Sequence, residues 1–225
     1  MTLTPELLAW RKAERQRLIS RRMAASSADH ARWSATIQAT LGALMPFASG
    51  WVVGLCWPFQ AEFDARPVAA QLRSHGARLA LPAVLGKGRP LEFREWWPDV
   101  AMTTGVYDLP VPAGTGVLVP DALLVPPVGF GNRGDRLGYG GGFFDRTLAA
   151  LDPRPLTIAH AFELSRMPTT EPQWHDIPMD LIVTEAGIEA SGSGVLSRLT
   201  PAQGRARLLE LARERGLPRR TSASG

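Results

Sequence analysis

The chain has one cysteine, two tyrosines and four histidines in 225 residues. A single thiol permits no intramolecular disulfide, and Cys56 sits inside the apolar run 51–57, so it reads as a buried structural thiol rather than a nucleophile. A reducing cytoplasm is the expected compartment. No apolar stretch approaches the roughly 18 residues of a spanning helix, and the first dozen residues are polar and charged, so neither membrane anchor nor signal peptide is expected. Excess charge is scarce as well. There are 25 cations against 21 anions, net +4, and much of the imbalance lies at the two ends. Without a basic stripe interleaved with aromatics, a nucleic-acid partner is not expected, and a small polyanion is favoured. Also missing are the G-x-x-x-x-G-K-[ST] phosphate loop and the protein-kinase motifs. The run 129–134 does satisfy G-x-G-x-x-G, yet it leads into more glycine instead of opening a helix, so the dinucleotide fingerprint fails in context. No internal repeat is visible.

Glycine is abundant in one place: seven of the 22 glycines fall between Gly129 and Gly142. Successive glycines can take positive φ and turn several backbone N–H groups toward one anion. The stretch Arg136-Leu137-Gly138-Tyr139-Gly140-Gly141-Gly142-Phe143-Phe144-Asp145-Arg146 follows a strand-like run at 122–125 and precedes a helix-like run at 143–151. A glycine loop between strand and helix places backbone donors and the positive end of a helix dipole together. Arg136 adds a planar fork of donors suited to phosphate, and Asp145 can hold a divalent cation. The bland alternative is a glycine-rich surface turn. Phosphoryl transfer is the chemistry suggested.

The remaining pattern alternates helix and strand. Residues 5–24 read as a helix on which Arg11, Arg15 and Arg22 share a narrow arc, by itself a solvated basic face. A second helix over 28–44, capped by Ser27, is expected to pair with it antiparallel. Strand, helix and strand follow at 51–57, 67–74 and 78–83, with Gly76 ending the helix. Residues 91–96 alternate as a half-buried or edge strand, 107–119 read as connection, and 156–161 and 180–184 are further strands. The fold class is α/β, a single domain with a mostly parallel Rossmann-like sheet flanked by helices, and ligands should collect beyond the carboxyl ends of its strands. Ser191-Gly192-Ser193-Gly194 reads as a flexible linker, 200–215 as a mixed-charge helix and 221–225 as disordered.

Together these residues resemble the 5-formyltetrahydrofolate cyclo-ligase family, also called methenyltetrahydrofolate synthetases. The signature is the block from Arg136 to Arg146, supported in order by Trp57-Pro58, Glu62-Phe63-Asp64, Leu81-Pro82, Pro120-Asp121, Leu124-Val125-Pro126, His175-Asp176 and Asp180 through Glu185. The resemblance runs from about Trp10 to Ile188. It implies an ATP- and magnesium-dependent closure of 5-formyltetrahydrofolate to 5,10-methenyltetrahydrofolate, in which the formyl oxygen takes the γ-phosphoryl group, N10 attacks the activated carbon and phosphate leaves. It also implies roles for residues. Arg136 through Phe144 (Arg136, Leu137, Gly138, Tyr139, Gly140, Gly141, Gly142, Phe143, Phe144) wrap the ATP phosphates, with Arg11, Lys12 and Arg15 supplying cations, the family's usual lysine matching either Arg11 or Lys12. Arg136 and Asp145 carry the catalytic charge balance, and Asp145 and Asp180 hold magnesium. Trp57, Glu62, Tyr139, Gly140, Gly141, Gly142 and Phe143 border the folate. The implied partners are ATP and a reduced folate, on a monomer or weak homo-oligomer. Residues 1–190 form the family-like domain, and 191–225 a linker with a basic, partly helical and partly disordered tail.

The chain departs from the family pattern at Phe144, where a tyrosine is usual, at Gly131, where a polar residue follows the phenylalanine, at Asp135, where tyrosine or asparagine is common, and at Gln173-Trp174. Two other readings therefore stand beside the cyclo-ligase: a paralogue using the same ATP site on another folate-related or formamide-like compound, and a non-catalytic folate- or nucleotide-binding protein. His175 is expected to serve structure before proton transfer. His30, His75 and His160 have no visible constellation.

Overall fold

A computed structural model describes residues 4–46, 48–191 and 194–217. Thr4 caps α1 (Pro5–Met23) by accepting from Leu7 N, with Pro5 in the first turn, where its missing N–H costs nothing. Then come α2 (Ser27–Leu44), capped by Ser26, β1 (Val52–Gly54), α3 (Arg66–Ser74), β2 (Arg78–Val84) and β3 (Leu91–Trp96). The middle of the chain supplies β4 (Met102–Thr104), β5 (Pro110–Pro112), β6 (Val117–Leu118) and β7 (Ala122–Val125), then the short hairpin β8 (Gly129–Phe130) and β9 (Arg136–Leu137). The last part contains α4 (Phe143–Ala150), β10 (Leu156–His160), β11 (Leu181–Thr184), β12 (Gly187–Ser191), β13 (Leu196–Leu199) and α5 (Pro201–Glu214).

Nine strands form one sheet in the order β13-β12-β11-β10-β7-β1-β2-β3-β6. Its centre, β11 to β2, is parallel, and antiparallel hairpins extend it on both sides. Because side chains alternate along a strand, each central strand feeds two cores. Leu124, Ile158, Leu181 and Val183 face a layer made by α2, α3 and α5, while Leu123, Val125, Ala159 and Ile182 face Leu148 of α4 and Phe130 of the hairpin. A third cluster joins Leu18 of α1 to Val128, Leu137 and Met167. That contact corrects the expected α1–α2 pair: α2 lies on the sheet, and α1 lies over the β8–β9 hairpin. Among the described residues no helix is long and apolar enough to cross a membrane.

The separate tail is also corrected. Residues 187–191 and 196–199 pair antiparallel, Ile188 with Leu199 and Ser191 with Leu196, so the Ser-Gly run connects two neighbouring strands of the main sheet rather than two separate units. Its Gly192 and Ser193 lie outside the described residues, as do 221–225. Helix α5 opens with a capping box of Thr200 and Gln203 and buries Leu208, Leu211 and Ala212 in the main core. A boundary at 190 would cut through β12.

Candidate active site

The parallel strands β1, β2, β7 and β10 point their carboxyl ends at one region, where the connecting loops gather. After β1 comes the turn carrying Trp57 to Glu62; after β7, the β8–β9 hairpin and the glycine loop 138–142; at the end of β10, His160; between β2 and β3, Lys87. Gly140 has φ +97°, and a Cβ there would stand 3.2 Å from the Arg15 guanidinium, so glycine permits the cation to lie against the loop. Gly142, at φ +62°, caps α4 without a side chain, so the first N–H groups of the helix have no side-chain cap. A cleft of about 390 Å³ opens here, lined by Lys87, Gly88, Tyr107, Gly140, Gly141, Phe143 and Arg146. That size suits a small ligand.

The arc of arginines on α1 is not solvated. Arg11 and Arg22 are only 7% and 3% exposed. Arg11 donates to Glu171 O (2.7 Å) and Asp176 Oδ2 (2.6 Å), while the Lys12 side chain is exposed. Arg15 donates through Nε to Gly138 O at 2.8 Å, and burial together with the Arg11 charge pushes its guanidinium below the usual range. A cation disfavoured by its surroundings is relieved by an incoming anion. Arg15 is thus the α1 cation that bonds the backbone of the glycine loop, and Arg11 fixes the loop carrying His175. His175 itself is half exposed, 3.6 Å from Asp176 Oδ1.

Several expected contacts are redistributed. Arg136 donates to Ile177 O (2.6 Å) and Asp145 Oδ1 (2.8 Å), so both ends of its fork are bound by protein rather than free for phosphate. Leu137 points into the third core cluster, and Phe144 packs on the second, with the Arg136 guanidinium 6.0 Å from its ring centre. Both belong to the loop through their backbone. Trp57 is half-buried, with Arg66 4.3 Å from its ring centre and Trp96 edge-on at 6.5 Å. Phe143 lines the cleft beside Tyr107, 6.2 Å away between ring centres.

Asp145 and Asp180 part company. Ile177 N (3.0 Å) and Arg136 both bond Asp145 through Oδ1, which leaves Oδ2 without a hydrogen bond among the described residues. Asp180 precedes β11, at the amino end of the sheet. Its Oδ2 accepts from Thr157 N (2.8 Å), Thr157 Oγ1 (3.0 Å) and Arg215 Nη1 (2.8 Å), and its Oδ1 from Arg215 Nη2. Asp180 is therefore corrected from metal ligand to anchor for the chain after α5, because both of its oxygens are already taken by Thr157 and Arg215, at the end of the sheet away from the glycine loop. No group of three or more His, Cys, Asp or Glu able to hold a metal occurs among the described residues.

On the other side of the glycine loop, Tyr139 donates its hydroxyl to Glu62 Oε1 at 2.6 Å, and Phe59 N donates to Oε2 at 3.0 Å. Burial pushes the Glu62 carboxyl up to about 7 against the opposing pull of Tyr139 and Arg22. Burial likewise raises the Tyr139 phenol, helped by the Glu62 charge, so it remains a donor. Cys56, half-buried near Glu62, has its thiol pushed up by burial and then by the Glu62 charge. The sequence reading missed Arg22, Lys87, Tyr107, Arg146 and His160. Lys87 had one signal, its position between Gly86 and Gly88, where a tight turn presents the side chain. Arg146 donates to Gly141 O and lies 5.6 Å from the Phe143 ring centre.

This geometry defines an α/β class with a glycine loop backed by an arginine beyond parallel strand ends and a buried carboxylate beside it. Residues 8–185 match the model of the 5-formyltetrahydrofolate cyclo-ligase family, and the chain belongs to that family. A 5-formyltetrahydrofolate cyclo-ligase of Escherichia coli K12 is 30% identical over 154 residues, covering 64% of this chain and 82% of that protein. One from Mycolicibacterium smegmatis is 34% identical over 128 residues, 55% of this chain and 61% of that protein. The solved 5,10-methenyltetrahydrofolate synthetase of Aquifex aeolicus superposes with TM-score 0.71 at 24% identity, over 84% of this chain and 96% of that one. At that identity the superposition speaks for the fold, which is the α/β class expected from the sequence.

Proposed function

We propose that the chain closes 5-formyltetrahydrofolate to 5,10-methenyltetrahydrofolate at the cost of one ATP, releasing ADP and phosphate. The observation that carries this reading is the meeting, over the ends of β1, β7 and β10, of a glycine loop backed by Arg15 with the turn that holds Glu62. The loop N–H groups, the α4 amino end and Arg15 receive the nucleotide phosphates, and Lys87 and Arg146 add positive charge to the cleft. Glu62, when ionised, accepts hydrogen bonds from the polar edge of the pterin, and Phe143 and Tyr139 offer ring faces to it. Transfer of the γ-phosphoryl group to the formyl oxygen makes that oxygen a leaving group. N10 then forms the new C–N bond as phosphate departs. Such a reaction asks for positioning and charge stabilisation and needs no protein nucleophile.

Magnesium fits one place, the free Oδ2 of Asp145, since this ion is commonly bound by one or two carboxylates together with phosphates and water. When bound there it would neutralise charge on the phosphates. Arg136 holds Asp145 in place for it. A cytoplasmic monomer or weak homo-oligomer completes the reading.

The test is purified protein with 5-formyltetrahydrofolate and magnesium-ATP, followed by near-ultraviolet absorbance of the methenyl product and by phosphate release. Equal amounts of both products are expected. Phosphate without methenyl product would favour the paralogue, and ligand binding without either product the non-catalytic reading.

A further inference from the structure

Arg22 lies in the last turn of α1, where the helix dipole favours a cation, yet its side chain points inward and is buried. Nε donates to Gln60 O at 2.9 Å, and Nη2 donates to the Tyr139 hydroxyl at 2.9 Å while standing 3.7 Å from Glu62 Oε1. Gln60 and Ala61 hold φ of +48° and +58°, a conformation that non-glycine residues keep only when their surroundings enforce it. The enforcing contacts are visible: Arg22 on Gln60 O, and His30 Nε2 3.2 Å from Ala61 O. One guanidinium therefore touches both loops that border the site.

We infer that Arg22 is a positioning residue for the reaction, a buried cation that sets the turn carrying Glu62 and the glycine loop carrying Tyr139 in register with each other. This rests on the folate and phosphate reading above. Arg22 touches neither ligand in this arrangement; it acts through Glu62 and Tyr139. A second consequence follows from its charge. Glu62 can accept from the pterin edge only as a carboxylate, and it is buried among few compensating groups. Those facing it are Arg22 from α1, Tyr139 from the glycine loop and Cys56 from its own loop. Further out, Asp64 is paired with Arg66, and His160 at the end of β10 stays neutral, since burial and then Arg22 push its ring down to about 3. Neither ring nitrogen of His160 has a hydrogen-bond partner among the described residues. Removing the Arg22 charge leaves Glu62 with no cation in direct contact, and its carboxyl becomes harder to ionise.

The experiment is the pH profile of kcat/KM for 5-formyltetrahydrofolate in wild type, Arg22→Lys, Arg22→Gln and Tyr139→Phe, with a thermal melt of each and folate titration without ATP over the same pH range. Arg22→Gln should move the acid limb to higher pH by about one unit, roughly tenfold lower efficiency below the limb, and weaken folate binding in parallel. Arg22→Lys keeps the charge and should hold the limb near wild type, with KM raised because one ammonium cannot span both loops. Tyr139→Phe removes the other group that favours the carboxylate and should shift the limb in the same direction. If Arg22→Gln does not fold, the lysine and phenylalanine variants decide, and an unshifted limb in Tyr139→Phe overturns the inference. A lowered melting temperature with unshifted limbs in all variants also overturns it, because support of the fold alone would do that. Wild type that neither turns over nor binds the folate refutes the reading of the site, and the inference with it.

Discussion

Replacing Arg215 with alanine separates two roles for Asp180. In the folded protein Arg215 donates to Pro155 O (2.8 Å) and to both oxygens of Asp180, and the two side chains are 13% and 8% exposed. Without it, Asp180 keeps only the N–H and hydroxyl of Thr157. Breaking a buried pair by deleting one partner costs about 3–5 kcal/mol, and the remaining exposure places this case near 3. For a chain of this length about 3 kcal/mol corresponds to a fall in melting temperature of roughly 6–12 °C. The assay is thermal unfolding by circular dichroism for Arg215→Ala, Asp180→Asn and the double variant. If the pair is the cause, the double variant should be less destabilised than the two single changes taken together. A loss under 2 °C for Arg215→Ala would refute the anchor. Turnover abolished by Asp180→Asn at an unchanged melting temperature would return Asp180 to metal binding.

Truncation at residue 190 should prevent cooperative folding, because α5 and its exit bury Leu208, Leu211 and Leu217, at about 2 kcal/mol each, against a total stability of about 5–15 kcal/mol; a soluble truncation with a sharp melt would contradict this. If Asp145 holds magnesium as proposed, Asp145→Ala should lower turnover by at least about 10²-fold with its circular dichroism unchanged; activity within a few-fold of wild type would reject the assignment. Arg15→Gln should raise KM for ATP more than KM for folate, measured by varying each at saturation of the other. Lys87→Ala should show a milder loss of the same kind in that assay, because Lys87 lies on the outer wall of the cleft.

The sheet was legible because β-branched and apolar runs bounded by turn residues occur at 52–54, 78–84, 122–125, 156–160 and 181–184, and a parallel core needs no more than that from each strand. The site was half legible. Periodicity correctly put Arg11, Arg15 and Arg22 on one face of α1, but a helical arc says which residues share a face and nothing about what covers it. The cover is the hairpin, the glycine loop and the loop of Asp176, all more than a hundred residues away, together with the turn of Gln60 and Glu62, 38 residues from Arg22. Composition misled at 191–194 for a related reason: a short Ser-Gly run can join paired strands as well as link separate units, and only the pairing of β12 with β13 tells these apart. Asp180 and Arg215 are 35 residues apart, so their pairing has no local signature.

The departures from the family pattern bear on whether the substrate has changed, and the structure makes two of them one. A Cβ at Gly131 would stand 2.4 Å from Asp135 Oδ2, the oxygen that accepts from the Thr170 hydroxyl and N–H. Asp135 is buried and held, so it cannot yield; Gly131 is the space its carboxylate needs. Phe144 likewise packs on the core cluster of Leu148 and Ile182 rather than lining the cleft. These exchanges are packing solutions beneath the loop, and they give no reason to alter what the loop binds. Gly131→Ala tests this. Overpacking should cost about 1–3 kcal/mol, a fall of roughly 2–12 °C, and pairing it with Asp135→Ala should recover part of the loss, because the clash is with that carboxylate. Folate KM, measured on the folded variants, should stay within a few-fold of wild type. A large rise in KM without loss of stability would place Gly131 in the substrate site and reopen the case for a changed substrate.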